Sequence, residues 1–358
     1  MQNGKKGSKT VKNTIFDVAK IAGVAASTVS RVINNKGDVS EETRRKVLQA
    51  MKELSYTPNI AARVLGSGME QEVKARSLNV GLITQENLQG NPYFTYIIRG
   101  AERKLNQEGY NCIFSQVADN YRKDISGNTE EYIPRIIVDG SVDGVIAVGI
   151  DYDYLAGIIK ERGLPAVFVD CSDFGGGFDY IKADNYQGAK KAVGYLIELG
   201  HRRIAIIIGE SKYWFFNELE YGYRDAHRSK KLAYDPGLIV TGEDSPNSGY
   251  AIARQLINLP EPPSAIFTND MTAIGVIKAV RESGMRIPRD ISVIGFDDID
   301  AASYIEPSLT TVRVMKTEMG ELAAEKVVQS IRDHGSLIPS KILLPVELVV
   351  RESAAPPK

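Results

Sequence analysis

Thr14-Ile15-Phe16-Asp17-Val18-Ala19-Lys20-Ile21-Ala22-Gly23-Val24-Ala25-Ala26-Ser27-Thr28-Val29-Ser30-Arg31-Val32-Ile33-Asn34 is the stretch whose reading decides the fold of this chain. Thr14 stands as an N-cap with Asp17 three residues on, the spacing of a capping box. Ile15, Val18, Ala19 and Ala22 then fall on one helical face. Gly23 can take the left-handed conformation that ends a helix, and a short turn lets a second helix start at a steep angle. Val29, Val32 and Ile33 give that second helix a buried stripe and leave Ala26, Ser27, Ser30 and Arg31 outside. Hydroxyls and an arginine on a short exposed helix suit the major groove of DNA, where base edges and phosphates are met together.

A third helix follows. Ser40 caps it, Glu41 and Glu42 favour its positive end, and Val47, Leu48, Met51 and Leu54 supply its apolar face. The plainer alternative is an amphipathic helix pair with no ligand, and charge argues against it. Residues 1–66 hold 12 Lys and Arg against 5 Asp and Glu, whereas the rest of the chain holds 32 against 40. A basic head on an acidic body fits a head that faces phosphate and a body repelled by it. Lys5, Lys6, Lys9 and Lys12 sit in a Gly/Ser/Asn context and read as a flexible basic tail over 1–13 rather than as a DNA-contacting arm.

At 358 residues the chain is too long for one core, so two or three domains are expected. No apolar run approaches the length of a membrane span and no signal-peptide pattern is present, so a cytoplasmic protein with no membrane partner is expected. Cys112 and Cys171 lie in or beside strand-like runs and read as reduced core residues. His201, His227 and His334 show no metal-ligand spacing, and His201 reads as structural. No phosphate loop, nucleophile elbow, metal cluster or Cys–His pair is visible, so no catalytic residue, metal or cofactor is expected. Asp297, Asp298 and Asp300 could be imagined as catalytic, but binding or capping suits them better.

From about residue 78 the chain alternates strand and helix. Strands are read at 78–83, 110–116, 144–148, 165–170, 204–208, 238–241, 265–268 and 292–295. Helices are read at 93–108, 129–138, 187–199, 219–229, 248–257 and 272–283. Continuous apolar strands separated by helices mean parallel sheets covered on both faces, and the two sets predict two doubly wound subdomains. A ligand of such a pair sits in the crevice outside the carboxyl ends of the strands. There the sequence offers Asn91-Pro92-Tyr93-Phe94, Gly242-Glu243-Asp244, Asn269-Asp270 and Asp297-Asp298. Each of these polar residues could equally cap the segment that follows, but their recurrence at one edge favours a binding site.

These residues add up to a known pattern. The chain resembles the LacI/GalR family of bacterial transcription regulators over nearly its whole length. Thr14–Asn34 carries the resemblance first, followed by Tyr56-Thr-Pro58-Asn59-Ile-Ala-Ala62-Arg63-Val-Leu65. Asp184-Asn-Tyr-Gln-Gly188, Leu199-Gly-His201-Arg-Arg-Ile204, Thr268-Asn269-Asp270, Gly295-Phe-Asp297-Asp298 and Leu309-Thr-Thr311-Val complete it. The resemblance implies an effector-responsive, sequence-specific regulator, most naturally a repressor of a carbohydrate or related metabolic operon. It acts as a homodimer on a pseudo-palindromic operator in double-stranded DNA. Arg31 would contact a base edge, Ala26 and Ser27 would stand at the other base-reading positions, and Thr28, Ser30 and Asn34 would hold phosphates, with Thr14 and Asn59 counted among the DNA contacts. Pro58–Leu65 would be a hinge that turns helical on DNA, with Ala62 letting two hinges pack and Leu65 levering into the minor groove. Tyr93, Phe94, Asn269 and Asp297 would contact a small-molecule effector whose binding biases the hinge.

The chain departs from that pattern in four places. Ala25 replaces a serine that commonly caps the recognition helix. Leu219 replaces an arginine often used to bind the effector. Asp244 replaces an aromatic that often stacks on it. The connection Gly66–Ser77 is long and charged. The altered pocket predicts a neutral sugar or a cationic ligand, stacked on Trp214 or Tyr213 beside Asp244, and disfavours an anion.

The expected organisation is a basic tail at 1–13, a helix-turn-helix head at 14–56 and a hinge with linker at 57–77. A periplasmic-binding-protein-like core follows, with a first subdomain of 78–170 with 300–335 and a second of 171–299 with 336–352. A tail at 353–358 ends the chain. A cytosolic sugar-binding module without gene control is the next reading, and an α/β sugar-modifying enzyme the one after it.

Overall fold

The computed structural model describes residues 14–33, 39–54, 77–88, 90–117, 133–150, 153–175, 177–209, 214–333 and 338–358. The expectations placed on residues 1–13, Asn34, Asn59, Ala62, Leu65, the linker before Ser77, Tyr213, His334 and the side chain of Trp214 lie outside the described residues. Contacts divide the chain into two units, 1–77 and 78–358.

The first unit holds α1 (Ile15–Ala22), α2 (Ala26–Ile33) and α3 (Glu41–Glu53). The Asp17 carboxylate accepts both the Thr14 N–H and the Thr14 hydroxyl at 2.7 Å, which fixes the entry to α1. Gly23, at φ 66°, ends the helix in the left-handed region, where a side chain would be strained. The Ser40 hydroxyl accepts the Thr43 N–H at 3.3 Å and opens α3. Val18, Val29 and Val47 meet in a small core with Ala19, Ala22, Val32 and Ala50. Leu48, expected in that core, is 53% exposed, and Ala50 is buried instead. The reason is helical phase. Residues 47, 50, 51 and 54 share a face, and residue 48 lies about 100° away from 47.

The second unit is built on two six-stranded sheets. In chain order its elements begin with β1 (Asn79–Gln85), α4 (Pro92–Gln107), β2 (Asn111–Val117), α5 (Arg135–Val138), β3 (Gly144–Val148), α6 (Asp153–Glu161), β4 (Ala166–Val169) and β5 (Asp179–Ala183). They continue with α7 (Asn185–Leu199), β6 (Ile204–Ile208), α8 (Trp214–Ser229), β7 (Ile239–Thr241), α9 (Pro246–Leu256), β8 (Ala265–Phe267), α10 (Asp270–Glu282) and β9 (Ser292–Asp297). The last are α11 (Ala301–Tyr304), β10 (Thr310–Arg313), α12 (Lys316–Arg332), β11 (Lys341–Leu344) and β12 (Glu347–Val349).

The first sheet runs β11-β5-β4-β3-β1-β2, all parallel. The second runs β12-β10-β9-β8-β6-β7, parallel except for the β10–β12 pair. The two doubly wound lobes expected from the sequence are therefore present. Their membership differs from the sequence partition at three strands. β5 pairs with β4 in the first lobe, β10 stands between β9 and β12 in the second, and β11 returns to the first beside β5. An apolar run announces a strand but not the sheet edge it joins, and these strands follow chain crossings between lobes. The crossings fall between β5 and α7, between β10 and α12, and between β11 and β12.

Three helices were not read from the sequence, α6, the short α11 and the long α12. α12 packs along α4 in the first lobe. The crossing is tight because each helix presents a glycine to the other's backbone. A Cβ on Gly100 would stand 2.2 Å from the Thr317 carbonyl oxygen, and one on Gly320 would stand 2.0 Å from that of Ile97. Residues 353–358, expected as a tail, begin with an anchored stretch. Ser353 Oγ accepts the Thr310 N–H at 2.8 Å and donates to the Val293 carbonyl at 2.6 Å. The buried His201 ring sits 2.9 Å from both Ser264 Oγ and the Ala355 carbonyl, the structural role expected of it. Cys171 is buried and Cys112 is partly buried, and both are free thiols. Among the described residues no helix is long and apolar enough to cross a membrane, and no cluster could hold a metal ion.

Candidate functional site

The head presents its polar face on α2. Ser27 and Arg31, one turn apart, are exposed, while Ala26, Thr28 and Ser30 are partly buried and Ala26 packs against the small core. Thr14 is exposed at the start of α1. The Ala25 carbonyl accepts the N–H groups of Thr28 (2.9 Å) and Val29 (3.2 Å), but Ala25 has no side-chain oxygen to cap α2. Phe16, 72% exposed on α1, is an apolar surface residue that the periodicity did not single out. Its exposure follows from helical phase, since it points about 100° away from Ile15, which packs against the small core.

In the second unit a cavity of about 40 Å³ lies between the lobes, at the carboxyl ends of β4, β7, β8 and β9. That is the edge where doubly wound sheets hold their ligands. Asn91 caps α4 by accepting the Tyr93 N–H at 2.9 Å, which aims the first turn of α4 at the cavity. Tyr93 and Phe94 meet edge to face, with centroids 4.9 Å apart. Phe94 reaches its place because Gly149 leaves room, since a Cβ there would stand 2.7 Å from the ring. Gly209 does the same for Phe216 in the second lobe, where a Cβ would stand 1.9 Å from the ring. Phe215 lies against Phe216 at 3.9 Å between centroids, and Phe296 and Leu219 complete the apolar wall.

Of the six expected effector residues, Tyr93, Phe94, Asp244, Asn269 and Asp297 come together around this cavity. Leu219, noted as a departure, lines it too. Asp170, Asn185, Phe215, Phe216 and Phe296 were missed. Asp170 and Phe296 carried a readable signal, because they stand at the ends of β4 and β9, whereas Asn185 and the α8 phenylalanines are placed by tertiary structure. Asp270 does not serve the cavity. Its carboxylate accepts the Thr311 hydroxyl at 2.6 Å and the Ile299 N–H at 2.9 Å, tying α10 to the strands beside it. Asp298 is also structural, held by Arg313 at 2.7 Å and Arg351 at 2.6 Å.

The cavity is acidic. Tyr93 hydrogen-bonds Asp170, and burial with the charges of Asp170 and Asp297 pushes its phenol well above the usual range. Burial raises Asp244, against hydrogen bonds from Asn269 and Thr272. Burial first, and then the nearby Asp270, hold Asp297 well above the ordinary carboxylate range, with Lys316 opposing. Burial also pushes Asp270 up to about 7. Glu218 on α8 is likewise pushed up to about 7 by burial, against the neighbouring Lys182. Lys182 itself is lowered by burial. The arrangement can bind a small polar molecule through carboxylates and amides against aromatic faces. It holds no nucleophile–base pair among the described residues.

Residues 14–59 match the family model described as bacterial regulatory proteins of the lacI family, and residues 193–354 match the periplasmic binding protein-like domain. The ribose operon repressor of Escherichia coli (strain K12) is 35% identical over 321 residues, 89% of this chain and 93% of that protein. The transcriptional repressor PurR of Histophilus somni (strain 129Pt) is 34% identical over 343 residues, 95% of this chain and 98% of that one. Among solved structures, the lac repressor dimer bound to operator and the anti-inducer ONPF superposes with a TM-score of 0.80 at 28% identity, covering 96% of this chain and 99% of that one. The regulator CelR in complex with cellobiose gives 0.69 at 32% identity, covering 95% and 99%. A basic three-helix head and a two-lobed core with its cavity at the strand ends are joined here to relatives matched along nearly their full length, and the chain belongs to the LacI family of bacterial regulatory proteins.

Proposed function

We propose that this chain is an effector-responsive repressor that binds a pseudo-palindromic operator as a homodimer and releases or gains it when a small molecule enters the cavity between its lobes. It is a DNA-binding regulator and not an enzyme, as its relatives are repressors. The single observation that carries the reading is the joining, in one chain, of an exposed Ser27–Arg31 face on α2 to a cavity lined by Tyr93, Phe94, Asp170, Asp244, Asn269 and Asp297.

In the head, Arg31 reads a base edge, most naturally guanine, for about 1–3 kcal/mol of discrimination. Thr14, Thr28, Ser30 and Asn34 hold phosphates, and Ala26 and Ser27 contribute little at the remaining base-reading positions. Asn59, Ala62 and Leu65 act in the hinge, which couples the effector to the DNA. The regulator works in the cytoplasm on a carbohydrate or related metabolic operon, and its effector is a neutral sugar or a cation. The ribose and cellobiose complexes of two solved relatives support a polyhydroxylated ligand.

Salt-dependent binding to a palindromic operator, set against random duplex, tests the reading. The wild-type chain should prefer the palindrome, with affinity falling steeply as salt rises. Arg31→Ala should lose most of the preference and keep most of the salt dependence. Equal affinity of the wild type for both duplexes overturns the reading.

A further inference from the structure

Among the described residues, the carboxyl groups that line the cavity face no basic side chain in it. Asp170, Asp244 and Asp297 reach it from three different strand ends, and no Lys, Arg or His lines it among the described residues. We propose that the ligand bears a positive charge, as a protonated amine on a small polyhydroxylated or heterocyclic frame. This rests on the effector-cavity reading above and states what that cavity accepts.

The carboxylates differ in how they are held. Asp170 is engaged by Tyr93, and Asp244 by Asn269 and by Thr272 Oγ1 at 3.4 Å. The carboxylate of Asp297 receives no hydrogen bond from a described residue, although it is enclosed by Tyr93 of α4, Asp170 after β4, Asp244 after β7, Asp270 of α10 and Lys316 of α12. The two nearby cations are committed elsewhere. The Lys316 ammonium donates to the main-chain carbonyls of Asp297 and Asp298. Lys182 faces Glu218, Asp170 and Asp173 from outside the cavity lining. Leu219 fills a further position with hydrocarbon.

A neutral ligand offers these carboxylates hydroxyl hydrogen bonds but no opposite charge, and ionised groups sharing a dry cavity are costly without one. An anionic ligand adds repulsion. An ammonium group compensates the carboxylates directly, and the faces of Phe94, Phe215 and Phe216 favour a desolvated cation over their π-systems. Burial first, and then the neighbouring carboxylates, favour the protonated form of Asp297, so binding of an ammonium is an exchange. The ammonium enters, the Asp297 carboxyl becomes a carboxylate, and one proton leaves to solvent.

Matched pairs of probes test the proposal on the intact chain by thermal shift and titration calorimetry. The pairs are glucosamine with glucose and galactosamine with galactose, with 1,4-diaminobutane as an amine lacking hydroxyls and glucose 6-phosphate as an anion. At least one amine should bind about tenfold or more tightly than its neutral counterpart, a difference of about 1.4 kcal/mol. Its binding should weaken with added salt and release about one proton, read from buffers of different ionisation enthalpy. Asp244→Asn should erase the preference for the amine. Equal or tighter binding of a neutral sugar or of the phosphate overturns the proposal, as does the failure of every amine to bind at millimolar concentration. Operator binding, measured in parallel, separates the two claims. A neutral sugar that releases operator sinks the charge inference and leaves the regulator reading standing. An amine that binds without changing operator affinity sinks the coupling and leaves the charge inference intact.

Discussion

The hydroxyl of Tyr96, on α4 of the first lobe, donates a hydrogen bond to the carboxylate of Asp300, which follows β9 in the second lobe. The Lys316 ammonium lies 6.0 Å from the centre of the same ring. A contact that bridges the lobes beside their cavity exists only when they stand close, so it favours the closed arrangement. Tyr96→Phe should therefore weaken effector binding about two- to fivefold, with little change in ligand-free DNA binding. Calorimetry with any identified effector checks this, and an unchanged affinity would show that the contact does not report closure.

The head should be separable from the core by mutation. Val29 is fully buried among Val18, Val47 and Val32. Val29→Ala removes two methyl groups from a very small core and should cost about 2–3 kcal/mol. Operator binding should be lost near physiological temperature while ligand binding by the second unit is kept, as gel shift and calorimetry on one preparation would show.

Stability should depend on pH in two opposing windows. Glu218 and Asp270 are held at about 7 in the folded chain, above their unfolded values of 4.5 and 3.8. The native state then binds protons that the unfolded state has released, so their contribution is present at acid pH and lost as pH rises toward 7. His201 and His227 are lowered by burial, so they act the other way, and stability falls as pH drops below about 6.5. Nδ1 of His227 lies 3.0 Å from the Tyr223 carbonyl and Nε2 has no partner, so a charged ring would be poorly accommodated. Melting curves should therefore show greatest stability in mildly acid solution. Glu218→Gln should melt higher than wild type at about pH 8, with the gap closing at about pH 5. A gap of the same size at both would refute this assignment.

Adding one carbon at the α4–α12 crossing should be disproportionately damaging. A Cβ on Gly100 meets a carbonyl oxygen at 2.2 Å, and both partners are main chain, so neither can step aside cheaply. Gly100→Ala should cost about 1–3 kcal/mol or more. Gly157→Ala, on α6 where a Cβ meets nothing within 4 Å, is the control and should be near neutral. Denaturant titration of both variants gives the comparison.

What the sequence made legible followed from periodicity and strand ends. α1, α2, β3 and β6 stand where apolar spacing put them, and Asn269 and Asp297 line the cavity because they follow strands whose direction the βα alternation implies. Leu48 misled because hydrophobicity was read without helical phase. β5, β10 and β11 were misplaced because sheet membership is a long-range choice that short strands do not encode. Asn185, Phe215 and Phe216 were invisible as site residues because only the crossing of the chain between lobes brings the start of α7 and α8 to the cavity. Asp270 looked like its neighbour Asn269, and only its bonds to Thr311 and Ile299 distinguish a brace from a ligand contact.

The paired glycines of α4 and α12 have a mechanical consequence. α4 begins at the cavity with Tyr93 and Phe94, and α12 begins at the crossing strap of residues 314–316. With main chain pressed on main chain, and Lys104 reaching Glu325 at 2.7 Å further along, the two helices have no play between them. A shift of one of these helices would therefore carry the other with it. Of the side chains that line the cavity, Tyr93 and Phe94 stand on α4 and Asn91 caps it, whereas the others come from strand ends, from the start of α7 and from α8. Such a construction lets the side chains on α8 and at the strand ends be exchanged, a leucine for an arginine or an aspartate for an aromatic, while the helix pair keeps its shape.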